Sequence, residues 1–303
     1  MMNHSTSTHF SPRGLVLGLV FFLLCTLSNA QQLYLDGEKA MKNIDELKVA
    51  QFTVSFMTSE FKSASTQSRD NFAGAKSALQ VNTTGLTQEL MQKITDDAYA
   101  DFIAKAEAKG LPVSKFDGYE NYPESMKRYY PSTGNFKEDC DHYQAYGKLT
   151  SITVSANGDP CMCNDQLPLL GIAAKESDSQ PISISYLLGS GYLAAKAMVD
   201  ENDFLGKIYN QTDVTFYPAL QVWWRSGADI YLSKAKKAEI KINEHIGAEG
   251  PAGELTVSDQ TDLGSYNRAT LTLAIDEQKY YSDAMQVLKE ANSRLINAMA
   301  DAK

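Results

Sequence analysis

Two stretches of this 303-residue chain repeat apolar residues at helical spacing, while most of the other patterned stretches alternate them as strands do. That balance limits the architectures open to the chain. The first helical stretch begins at Thr87, whose hydroxyl can cap it, with Glu89 in the first turn where a carboxylate complements the helix dipole. Leu90, Ile94, Ala98, Phe102 and Ala106 then recur at every fourth position, and Met91 and Ile103 widen the stripe. Lys105 and Lys109 occupy the last turns, Gly110 stops the helix and Pro112 prevents its resumption. The second stretch is capped by Asp276, and Tyr281, Ala284, Leu288, Ala291, Leu295 and Ala298 follow the 3–4 spacing of one buried stripe. These patterns predict long amphipathic helices over 87–109 and 276–300. The second is expected to dock on the chain's own sheet, because a coiled coil needs more heptads.

Strand signals outnumber these helices. Phe52, Val54 and Phe56 alternate with Gln51, Thr53 and Ser55 within a predicted strand at Val49–Thr58. Residues 59–85 are rich in Ser, Thr, Gly and Asn and read as a long loop or a strand pair. Further strands are expected at Lys148–Ser155, Ser183–Leu188, Val214–Trp224, Ala238–Asn243 and Thr270–Ile275. Asn157-Gly158-Asp159-Pro160 reads as a turn and Gly247–Gly253 as a loop. Many strands adjoin other strands rather than alternating with helices. The expected class is α+β, a mostly antiparallel sheet packed by the two helices.

The first thirty residues read as a secretory signal peptide. Arg13 precedes an apolar run from Leu15 to Leu27, and small residues at Ser28-Asn29-Ala30 suit a peptidase. The run falls short of the about 20 residues a membrane span requires. Cys25 lacks the small preceding residue of a lipobox, so cleavage is expected over lipidation. The mature chain, 31–303, then reads as one α+β domain or as two lobes, 31–125 and 140–303, with no integral membrane span. It carries 27 basic against 37 acidic residues, a net charge of −10. Such a balance argues against nucleic acid and anionic membrane surfaces as partners.

Export makes a disulfide plausible among Cys140, Cys161 and Cys163. Pairing Cys140 with either of the others closes a loop of about 20 residues, which stabilises by roughly 3 kcal/mol in the chain-entropy view. The rival is a metal site using Cys140, His142, Cys161 and Cys163, but C-x-C is not the usual zinc spacing.

Other motifs carry little chemistry. Gly189-Ser190-Gly191 followed by Ala194 resembles a dinucleotide fingerprint, but it stands outside any βαβ series and reads better as a turn between a strand and a helix. The weakly charged stretch Pro181–Val199 is accordingly expected to be a buried strand plus helix rather than a membrane hairpin. Ser59-Glu-Phe-Lys62 matches S-x-x-K but lacks its K-T-G partner. Asp96-Asp97 and Asp200-Glu201 sit in solvated contexts. His142 and His245 are the two histidines of the mature chain. No catalytic residue, metal site or cofactor is assigned. Trp223-Trp224 at a strand end should send one ring to each face, and with Tyr129 and Tyr130 from the Tyr-rich segment 117–147 they form the candidate ligand-binding surface.

The order of strand Val49–Thr58, capped helix Thr87–Lys109, Gly110 and extended Leu111-Pro112-Val113-Ser114 resembles the α/β unit of exported bacterial envelope proteins of the curli-secretion, CsgG-like type. The likeness covers about 65 residues and lies in pattern, without a diagnostic motif; the usual lipobox is absent. It implies a periplasmic or outer-membrane-associated role in structure or assembly, with envelope proteins or a protein complex as partners. The expected function is therefore non-catalytic binding or assembly outside the cytosol. The alternative is a periplasmic or extracellular small-molecule or glycan binder using the Tyr/Trp surface.

Overall fold

The computed structural model describes residues 33–37, 42, 46–66, 75–116, 149–159, 170–172, 174, 180–200, 209–224, 226–233, 236–262 and 266–303. The leader, Tyr129, Tyr130, Cys140, His142, Cys161 and Cys163 lie outside them.

Twelve strands form a single sheet. In chain order they are β1 (Leu33–Asp36), β2 (Leu47–Ser65), β3 (Lys76–Thr84), β4 (Val113–Lys115), β5 (Leu149–Ser155) and β6 (Pro181–Asp200), then β7 (Tyr209–Val222), β8 (Gly227–Ser233), β9 (Lys236–Ile242), β10 (Ile246–Gly247), β11 (Gly253–Asp262) and β12 (Tyr266–Ile275). The main path runs β1-β9-β8-β6-β2-β3-β12-β11. Among the described residues the two long helices are α1 (Gln88–Ala108) and α2 (Glu277–Ala302). The class is α+β. The sheet is mostly antiparallel, as expected, with three parallel pairings that make it mixed: β2 pairs parallel with β4 and β6, and β12 pairs parallel with β3. Parallel neighbours need long crossover connections, and alternation within one strand carries no trace of its neighbour's direction.

The helix termini follow the local chemistry. Thr87 Oγ1 accepts from the Leu90 N–H at 3.2 Å, and the Asp276 carboxylate accepts from the Lys279 N–H at 2.7 Å. Gly110 ends the first helix at φ +72°, a left-handed conformation that favours glycine. The two helices pack against each other and on one face of the sheet. Ile94, Ala98 and Phe102 meet Leu288, Ala291 and Leu295 in one core with Phe52, Val54, Ile184 and Tyr186. The Phe52 ring lies 5.9 Å from Phe102 and 5.6 Å from Tyr186.

One polar residue organises this core. Asn292, fully buried on α2, accepts from the Tyr186 hydroxyl at 2.7 Å. Its amide donates to the Ala98 carbonyl at 2.8 Å and to Asp101 at 2.9 Å. Helix α1, helix α2 and strand β6 are thus joined by one side chain whose hydrogen bonds offset its desolvation.

Strand β2 is long enough to change partners. Along one edge β6 pairs with it from Lys48 to Phe56, and β3 takes over from Ser59 to Ser65. Beyond Leu188, β6 leaves β2 and continues as a hairpin with β7. The stretch expected as strand, turn and helix, 181–199, is therefore strand throughout. The β6–β7 hairpin crosses one face of β3 and β12. Leu79, Val81 and Leu193 form a second, smaller core there, against which Val214, Phe216, Ala269 and Leu271 pack. The Ser77 hydroxyl donates to the Thr212 carbonyl at 3.0 Å and ties the hairpin to β3.

Candidate functional site

The glycines of the fingerprint-like motif make room for aromatic rings. A Cβ on Gly189 would meet the Trp223 indole and lie 3.1 Å from the Met57 methyl, and one on Gly191 would meet the Phe216 ring. The irregular register between Gly189 and Gly191 accommodates both. The expected turn is thus a β-bulge, and no helix N-terminus follows it to receive a phosphate.

Alternation beyond the bulge sorts the hairpin's side chains. Leu193 and Phe216, opposite each other, face the small core. Tyr192 and Tyr217, one position away on each strand, are paired on the outer face. Their rings stack 4.8 Å apart at 14°. His245, from the segment between β9 and β10, continues the row, stacked 6.2 Å from Tyr192 and nearly parallel to it at 9°. Trp223 closes it edge-on to His245 at 5.2 Å. Tyr192 and Tyr217 remain 39% and 45% exposed, so solvent reaches the row. The strip runs Tyr217–Tyr192–His245–Trp223.

Of the residues expected to bind, Trp223 lies in this strip, half-buried, and Trp224 is 40% exposed in the turn that follows β7. Tyr129 and Tyr130 fall outside the described residues, as do Cys140, Cys161 and Cys163. Sequence reasoning passed over Tyr192, Tyr217 and His245. Their signal was present as two tyrosines in strands flanking one hairpin, but only the pairing register places them opposite each other.

The electrostatics suit a neutral surface. Burial holds the His245 imidazole below the ordinary histidine range, which favours its uncharged form. The Trp223 Nε1–H and the Gln221 amide nitrogen are buried without a hydrogen-bond partner. They flank Gly189, which pairs with Gln221 in register. Each such donor costs about 1–3 kcal/mol, which an acceptor drawn into the strip would recover.

The other chemical candidates among the described side chains are engaged structurally; His142, Asp200 and Glu201 fall outside these. On β2, Ser59 and Lys62 fall on opposite faces, since three residues is an odd number of strand steps; Lys62 donates to the Leu193 carbonyl at 2.7 Å. Asp96 accepts from Gln92 and from the Asn157 N–H, at 2.8 and 2.6 Å. Asp97 accepts from Lys93 and Tyr281, which hold its carboxyl below the usual carboxylate range. Among the described residues no group of three His, Cys, Asp or Glu could hold a metal ion. Among them, too, no helix is long and apolar enough to cross a membrane.

Comparison with protein-family models, with curated proteins and with solved structures returned no match.

Proposed function

We propose that this chain is an exported, non-catalytic binding protein of the bacterial envelope, periplasmic or extracellular, that takes a carbohydrate ring on its aromatic strip. The carrying observation is the contiguous row Tyr217–Tyr192–His245–Trp223, which begins on the outer face of the β6–β7 hairpin. Aromatic rings with polar edges suit the alternating apolar faces and hydroxyls of a sugar. The unpartnered indole and amide donors beside Gly189 support an oxygen-bearing ligand. Placement outside the cytosol rests on the leader, and the envelope assignment on the resemblance in pattern.

Trp223 and Trp224 are the only tryptophans of the chain, so intrinsic fluorescence reports on the strip and its border. Titration with a panel of neutral oligosaccharides should shift the emission, and Tyr192→Ala and Tyr217→Ala should each weaken binding about tenfold, which corresponds to about 1.4 kcal/mol for a solvent-accessible aromatic contact. A flat response across the panel, or unchanged affinity in both variants, overturns the reading.

A second reading, assembly with another protein, is favoured by β11. This strand pairs only with β12 among the described residues, and it exposes Leu255 and Val257, the latter 62% accessible. An open strand edge with apolar side chains accepts an added strand. Val257→Lys should abolish crosslinking to envelope partners without altering sugar titrations; crosslinking that survives the change rules β11 out.

A further inference from the structure

The face of β3 and β12 turned away from the β6–β7 hairpin carries a second concave site, unrelated to the aromatic strip. Alternation again assigns the side chains. Ser77, Leu79 and Val81 serve the small core, so Lys76, Ala78, Gln80 and Asn82 face the other way. Parallel pairing sets Tyr266 beside Lys76 and Arg268 beside Ala78, and antiparallel pairing sets Ser59 beside Asn82. The result is a groove of about 710 Å³. Cavities of this size hold small organic ligands.

Its charge runs against that of the molecule. The chain has a net charge of −9, yet no Asp or Glu lines the groove and two cations do. Neither is neutralised within the described residues. The Lys76 ammonium lies 5.8 Å from the Tyr266 ring centroid; among the described residues it makes no ion pair, and the Arg268 guanidinium makes neither ion pair nor hydrogen bond. On the neighbouring strand Asp259 sits opposite Thr270 and forms no ion pair with Arg268. An unpaired guanidinium fork matches a carboxylate or a phosphate in geometry, and a concave setting concentrates the field of both cations.

The floor adds a second preference. Gln80 Nε2 donates to Asn82 Oδ1 at 3.1 Å and to Ser59 Oγ at 3.5 Å. Among the described residues that leaves the Gln80 carbonyl oxygen as a spare acceptor and the Asn82 amide as a spare donor. A hydroxyl both donates and accepts, so one sugar hydroxyl satisfies the pair.

We infer that this groove binds an anionic sugar, with its acid group on Arg268 and Lys76 and its hydroxyls on Gln80 and Asn82. The acid group is a carboxylate or a phosphate, from a uronic acid unit of a polysaccharide or from a free sugar phosphate. Calorimetric titration of the full protein separates these sources with a galacturonic acid trimer and a hexose phosphate, using a neutral glucose trimer and inorganic phosphate as controls. At least one anionic sugar should bind, more weakly as salt rises, and Arg268→Gln and Lys76→Gln should each cost roughly tenfold in affinity. Lys237→Gln, a cation remote from the groove, should leave affinity unchanged. Thermal unfolding confirms that each variant folds, as expected for exposed side chains. The inference fails if neither anionic sugar binds at millimolar concentration. It fails equally if the neutral trimer or inorganic phosphate binds as tightly, or if Lys237→Gln weakens binding as much as Arg268→Gln.

Discussion

Glu60 is the buried charge most exposed to experiment. It lies on β2 between Val81 of β3 and Leu149 of β5, only 9% accessible, just beyond the point where β6 parts from β2. Burial raises its carboxyl from 4.5 to about 7, although Lys62 and a backbone hydrogen bond with Leu193 act in the opposite direction. The folded state therefore holds this proton more tightly than the unfolded chain does. Stability from this group is fully present below pH 4.5 and is lost as pH rises through about 7. A shift of this size corresponds to about 3 kcal/mol across the window. Glu60→Gln keeps the shape, removes the titration and retains an acceptor for Leu193. Urea unfolding followed by tryptophan emission between pH 4.5 and 8 should show variant and wild type equally stable at the acid end. The variant should then gain progressively, by about 2–3 kcal/mol at the alkaline end. Because both proteins share every other titrating group, the difference curve isolates Glu60. Parallel stability curves, or a variant less stable at pH 8, would refute the reasoning.

Three further outcomes follow from the geometry. Asn292→Leu should destabilise by about 2–4 kcal/mol, since it strands the Tyr186 hydroxyl in the core and takes one donor from Asp101, which keeps Lys105; adding Tyr186→Phe should recover part of the loss, and strict additivity in that double-mutant cycle would dissolve the network. Gly189→Ala should cost about 1–3 kcal/mol and shift tryptophan emission, because the new methyl group meets the Trp223 ring; a silent substitution would mean that the ring does not pack there. With burial holding the His245 pKa below its unfolded value, its contribution is present above the ordinary histidine range and is lost as pH falls through the folded value. Sugar affinity at the strip should fall in the same acidic range, and His245→Phe should flatten that profile.

Legibility in the sequence tracked how local each cause was. Thr87, Asp276 and Gly110 act on backbone groups within a few residues of themselves, so the helix ends could be read from the letters. The alternation of Phe52, Val54 and Phe56 marks a strand for the same reason, and the strand runs on to Ser65. Trp223 stood out as an aromatic at a strand end. In contrast, Gly189 and Gly191 imitated a phosphate loop because glycine signals only that a Cβ is unwelcome, and the rings responsible, Trp223 and Phe216, lie far along the chain. β11 passed unread because its apolar residues, Leu255 and Val257, are too few and too exposed to mark a strand face.

Composition and local pattern by themselves indicated the α+β class, the capped helix starts and many of the strands, because capping and side-chain alternation are short-range effects. Tertiary structure alone decided which strands became neighbours, and so both candidate sites. Tyr192 meets Tyr217, and Lys76 shares a groove with Arg268, only through a pairing register chosen by cores that draw on distant parts of the sheet. A shift of one residue would turn each of those side chains to the opposite face.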